Sequence, residues 1–248
     1  MKRILIWDVP TRLFHALLAA SFVGAFAIAN IVNDESSTFR WHMLLGGMMA
    51  FMVVLRVVWG FVGSRWARFS SFVFGPGAVI EYFQSIVTGE GKRYPGHNPG
   101  ASWGIYVMLA LSLGLAITGA SMGTGGELAE ELHEVMAFAL AAVVGAHVLG
   151  VVLHTVRHRE NIIASMVHGY KEGEPEDGIA RSHPLVGLAL LVLTGAWTYG
   201  VATSYDGATN QVRLPLLGTV VSLGEAEAGE GGQVETGDRD GDHDEDHD

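Results

Sequence analysis

The chain contains no cysteine. That absence excludes disulfides, thiolate metal sites, cysteine-ligated iron–sulfur clusters and covalent haem attachment through a CxxCH motif. It carries no information about redox compartment. Charge is missing from long stretches: residues 101–122 hold no Asp, Glu, Lys, Arg or His. The apolar runs also lack the two-residue alternation of barrel strands, and they are of helical length. Backbone amides in lipid must be satisfied within helices or closed barrels, so the sequence predicts an all-α membrane protein. Its 248 residues, 49% hydrophobic with a mean hydropathy of +0.31, suit a compact membrane bundle. The net charge of −11 is not a global property. Much of the acid lies in the last thirty residues, and the basic residues cluster between apolar runs. No nucleic-acid-binding reading survives that distribution.

In chain order, MKRILIWDVPTR is a basic, aromatic lead-in, followed by a first apolar run from Leu13 to Val32. A cleaved signal peptide is the alternative for this run, given Lys2, Arg3 and the AFAIAN stretch. The WDVPTR segment between charge and run, and His15 inside the run, favour a retained span. The second span runs from His42 to Gly63, with Gly46–Gly47 leaving room for close approach of a helix or a flat cofactor. Arg56 lies within it, either as a functional buried cation or as a snorkelling one. A basic, aromatic connector follows, with an amphipathic helix expected over Ala78–Val87. Ala101–Met122 is a third span, GTGGELAEE an acidic turn, and Glu131–Glu160 a fourth span. His183–Thr203 is long enough for a fifth. The Gly/Asp/Glu-rich end has almost nothing to bury and is expected to be disordered.

Three segments result: residues 1–172 as a four-helix membrane domain, 173–204 as linker and fifth span, and 205–248 as an acidic extracytoplasmic tail. The positive-inside rule orients them. With the N-terminus in the cytoplasm, Lys2, Arg3, Arg12, Arg65, Arg68, Lys92, Arg93, Arg157, Arg159, Lys171 and Arg181 fall inside. Only Arg40, Arg213 and Arg239 fall outside.

Orientation gives each histidine a depth. His133 and His147 are fourteen residues apart. At about 100° and 1.5 Å per residue they share a helix face, roughly 21 Å apart along the axis. His42 shares the outer depth with His133, and His15 the inner depth with His147. Taken alone, His15 or His42 reads as an interfacial residue near a span end. His154, seven residues beyond His147, is a rival for the inner position. A structural zinc wants four ligands in one place, and each depth offers two. Bis-imidazole ligation of haem iron needs two, from opposite sides of a flat ring in a helical bundle. Arg56, fourteen residues after His42, lies on the same face at inner depth and suits a haem propionate.

The segments WDVPTRLFH, RWHMLLGG, LRVVWGFVGSRWARFSSF, GHNP and LHE…AHVLGVVLHTVRHRENIIASMVHGYK, in this order over residues 4 to 172, resemble the bacterial cytochrome b561 / nickel-hydrogenase b-type cytochrome family. The resemblance implies a four-helix membrane core with two non-covalent haem b groups, in the bacterial cytoplasmic membrane. It puts the family's ligands on His15, His42, His133 and His147. It also implies electron transfer between the quinone pool and a partner redox protein, such as a hydrogenase or dehydrogenase subunit. No catalytic residue is expected of a relay; the alternatives are a quinone-linked oxidoreductase acting alone and a haem-bearing anchor subunit. The fifth span and the tail lie outside the resemblance. The tail's charge suits steering of a basic soluble cytochrome c.

Overall fold

A computed structural model describes residues 2–33, 36–88, 92–207, 209, 211–215 and 218–222. Four of its helices are long and apolar enough to cross a membrane. The first, α1, spans Val9–Ile31 and begins where Asp8 accepts a hydrogen bond from the Thr11 amide at 2.7 Å, with Pro10 in the opening turn. Helix α2 covers Arg40–Val62. A short helix α3, Pro76–Thr88, contains the expected amphipathic segment; Ile80 and Phe83 are exposed on it.

Helix α4, Pro99–His158, is 60 residues long. Unbroken it would extend about 90 Å, three times the hydrocarbon core of a bilayer. It breaks at Gly126, whose φ of 54° and ψ of −154° are open to glycine and strained for other residues. The limbs on either side, residues 99–125 and 127–158, fold back on each other, since Leu115 and Leu140 share one buried cluster with Met49 and Val53 of α2. Each limb exceeds the roughly 20 residues a crossing needs. The acidic turn expected at GTGGELAEE is therefore corrected to a one-residue break. Its Glu, Leu and Ala residues are good helix formers and stay helical.

Helix α5, Ile162–His168, ends at Gly169 with φ 89°. Helix α6, Pro184–Ser204, is the fifth crossing segment and packs on α1 and α2. Gly187 lets it touch Val9 of α1, and Trp197 Nε1 donates to the Gly47 carbonyl at 3.1 Å while its ring stacks on Phe51. The bundle's outside is apolar: Val58, Phe61, Ile117, Leu149, Leu185 and Val192 are all exposed. That is the inverse of a water-soluble surface and the face a lipid environment demands.

Two small sheets lie beyond the helices. Strand β1, Lys2–Leu5, pairs antiparallel with β2, Tyr170–Gly173, so the lead-in is a strand rather than an irregular segment. Ile4, Ile6, Trp7 and Trp66 form a buried cluster beneath it. At the other end, β3 (Tyr205–Asp206), β4 (Gln211–Arg213) and β5 (Val220–Ser222) form a three-stranded antiparallel sheet. The disorder expected from residue 205 is thereby corrected for this stretch, where Val212 has an apolar contact to bury. The acidic sequence from residue 225, with His243 and His247, lies outside the described residues.

Candidate haem sites

Each histidine singled out by depth has an opposite number within a few ångströms. The rings of His42 (α2) and His133 (α4) have centroids 6.1 Å apart, and those of His15 (α1) and His147 (α4) 6.5 Å. Both spacings lie within the roughly 4.5–7 Å range of packed rings, and they can be set beside two polar geometries. Two imidazoles sharing an N–H···N hydrogen bond would have centroids about 5.3 Å apart. Two imidazoles bound to opposite sides of one metal ion, with metal–nitrogen bonds of about 2.0 Å, would have them about 6.4 Å apart. Both pairs match the second figure.

The outer pair is anchored from behind. His42 Nδ1 lies 2.9 Å from the Ala25 carbonyl of α1, which can only accept, so this nitrogen carries the proton. His133 Nδ1 lies 3.0 Å from Thr118 Oγ1, whose own proton goes to the Gly114 carbonyl at 2.9 Å. The Thr118 hydroxyl thus accepts from His133. In both rings Nε2 keeps its lone pair, the tautomer and orientation a metal-binding imidazole requires. Gly119 permits the approach: a Cβ there would stand 3.3 Å from His133 Cε1. Gly46, one turn after His42, has open space where a Cβ would be.

Among the described residues, His15 and His147 make no side-chain hydrogen bond. Helices α1 and α4 scarcely approach at the backbone and meet through rings instead: His15 with His147, and Phe26 with Phe138 at 5.6 Å. His154 does not face His15; its Nε2 lies 3.5 Å from Glu160 Oε2, and Glu160 also meets Lys171 at 3.4 Å.

Arg56 is 7% exposed, and its Nη1 has no hydrogen-bond partner. Its guanidinium rests over the Phe69 ring at 5.3 Å. His97 stands just before a helix start, a position that by sequence alone suits capping that helix or stabilising the loop. The capping falls instead to Asn98, which accepts from the Ala101 amide. The His97 ring is wedged between Trp7 at 4.7 Å and Phe72 at 4.5 Å, with Nδ1 buried and unpartnered. Burial first, and then the nearby Arg56 charge, push its pKa down to about 3. Asp8, 1% exposed, was likewise missed; it accepts from Trp59 Nε1 at 3.2 Å as well as from Thr11. An acid directly before a proline-led helix signals its capping half, but no sequence signal joins it to Trp59.

The family model described as prokaryotic cytochrome b561 matches residues 6–169. Over 212 residues the chain is 24% identical to a protein of Rhizobium leguminosarum bv. viciae named probable Ni/Fe-hydrogenase B-type cytochrome subunit, covering 68% of this chain and 88% of that one. A protein of the same name from Bradyrhizobium diazoefficiens is 19% identical, covering 68% and 86% respectively. No solved structure matches the chain.

Proposed function

The chain belongs to the prokaryotic cytochrome b561 family, and from that premise we propose that it carries electrons through the cytoplasmic membrane on two bis-histidine haem b groups. His42 and His133 hold the outer haem, His15 and His147 the inner one, and Arg56 pairs with a propionate of the inner haem. The observation that carries this reading is the facing of two histidine pairs, His42 with His133 and His15 with His147, at ring spacings of 6.1 and 6.5 Å that leave room for an iron between them. A haem bound at each site supplies one-electron redox chemistry at a potential set by its surroundings.

The residues themselves ligate, bury and tune. Ala25 and Thr118 fix the outer imidazoles from behind. Phe22, Met49, Val53 and Leu140 fill the bundle between the two depths and keep it dry. Fourteen residues of helix separate His133 from His147, roughly 21 Å, close enough for ring edges to exchange electrons directly. Residues 1–172 form the haem-bearing domain, 173–204 add the linker and fifth helix, and the tail from 205 lies outside the cytoplasm. The quinone pool is the proposed source or sink within the membrane. The redox partner of choice is a hydrogenase subunit, supported by the names of the two relatives; a c-type cytochrome steered by the acidic tail is the rival. A reduced-minus-oxidised spectrum with a haem count tests the core of this reading. Two b-type haems per chain are expected, and a chain purified without a b-type α band would sink it. Hydrogen-dependent haem reduction on adding a hydrogenase, set against quinol oxidation by the chain alone, separates the anchor subunit from the free-standing enzyme.

A further inference from the structure

Buried donors and acceptors are almost always paired in folded proteins, and leaving one unmade costs about 1–3 kcal/mol, more for a charged group. Among the described residues three buried nitrogens break that rule: Arg12 Nε, whose guanidinium already donates through Nη1 to the Val167 carbonyl, and the pair Arg56 Nη1 and His97 Nδ1. The last two are neighbours through an aromatic bridge. His97 lies on Phe72, Phe72 on Phe69 at 5.8 Å, and Phe69 carries the Arg56 guanidinium.

The nearby Asp8 carboxylate tempers the Arg56 charge from a distance but bonds neither nitrogen. Asp8 already spends one oxygen on the Thr11 amide and the other on Trp59 Nε1, and among the described residues Arg56 has no ion pair. The cradle around His97 is rigid. Trp7 and Phe72 sandwich the ring, Asn98 locks the following helix, and a Cβ on Gly96 would overlap the Trp66 ring. A guanidinium with a free N–H and a buried imidazole whose unpartnered Nδ1 can carry the ring proton, both withdrawn from water, suit an anionic acceptor from outside the chain. The inner histidine pair is close enough for its charge to reach His97.

We propose that His97 and Arg56 together seat one carboxylate of the inner haem, His97 as the neutral hydrogen-bond donor and Arg56 as the countercharge. This rests on the inner haem proposed above, and His97 is a positioning and tuning residue rather than a ligand. Removing a donor leaves the carboxylate's negative charge less compensated and disfavours reduction of the adjacent iron.

The test is a redox titration of the full chain in lipid nanodiscs. Haem is counted first: a wild type with no inner haem ends the parent reading and says nothing against the cradle residues. With two haems present, His97→Ala and Arg56→Gln should each lower the potential of one and the same haem and spare the other. The expected size is a tenfold change in its reduction equilibrium, about 59 mV for one electron. His97→Asn, which keeps an N–H near the position of Nδ1, should restore most of the His97→Ala shift. Repeating the titration in a His133→Ala background, which lacks the outer haem, identifies the shifted haem as the inner one. The proposal is overturned if His97→Ala moves neither potential or both equally. It is also overturned if His97→Asn behaves like His97→Ala, or if His97→Ala leaves both potentials alone and raises the KM for quinol.

Discussion

The two histidine pairs, proposed to ligate haem, are held at the two ends of the bundle in opposite ways. At the outer end the imidazoles are fixed by the protein alone: His42 by the Ala25 carbonyl and His133 by the Thr118 hydroxyl. At the inner end neither ring has such a bond, and the surroundings hold polar atoms without partners, Thr11 Oγ1, Arg56 Nη1 and His97 Nδ1 among them. On the proposed reading, the outer site is complete before haem binds, and the inner site would be completed by the haem itself. Preorganised ligands cost little to engage, whereas a site of unmet donors gains most of its stability on occupation. The inner haem should accordingly contribute more to the folding of its end of the bundle, and the outer haem should depend more on its supporting residues.

The largest effects come from the ligands. His133→Ala and His147→Ala should each leave one haem per chain, measured as the haem-to-protein ratio, and the two remaining spectra should sum to that of the unmodified protein. Loss of both haems from either change would mean that the sites are not separable, and the contrast between them would fail.

Acid should attack the inner end. Folded His97 stays unprotonated down to about pH 3, whereas the unfolded chain takes up that proton below about 6.5. Its folded pKa is depressed, so stability is whole above 6.5 and is lost as pH falls towards 3. The slope is about 1.4 kcal/mol per pH unit for one proton. The unfolding midpoint of the wild type should fall relative to that of His97→Phe, which keeps the aromatic contacts and cannot titrate, as pH is lowered through this window. Parallel curves would count against the buried neutral imidazole.

A smaller effect belongs to the outer end. Thr118→Val keeps the shape and removes the acceptor behind His133. Loss of such a supporting bond weakens metal-site affinity by roughly 10–100-fold. Haem-release kinetics should show one fast and one unchanged phase. Two unchanged phases would mean that the outer ring needs no anchor.

Much of this contrast was legible in the sequence and some was not. The pairing by depth needed only helix rise and the positive-inside bias, because spans of fixed length make residue number a ruler for membrane depth. Arg56 stood out by its charge in an apolar run. The β1–β2 ladder was not legible, since Lys2–Leu5 and Tyr170–Gly173 lie far apart in the chain and neither is long enough to show a period. The sheet after α6 was hidden for the same reason, with strands of two and three residues. His97 was misjudged because its burial is made by Trp7 and Phe72, partners from two distant segments. Local sequence places a histidine beside a cap, and only tertiary packing removes its water.

His154 is where the smallest effect is expected and where it decides most. Helical spacing alone allows it to compete with His147 for the inner iron. In the structure its Nε2 points to Glu160, which also meets Lys171, and Lys171 donates to the Tyr94 carbonyl at 3.1 Å. That chain of contacts ties the end of α4 to the loop carrying His97, and leaves His147 to face His15. Partly exposed pairs of this kind contribute at most about 1 kcal/mol. His154→Gln should therefore keep both haems and both potentials, with only a slight loss of thermal stability. If His154→Gln instead removed the inner haem while His147→Ala kept it, the inner ligand would lie two turns nearer the cytoplasm. The room for an iron between His15 and His147 would then be a coincidence of packing.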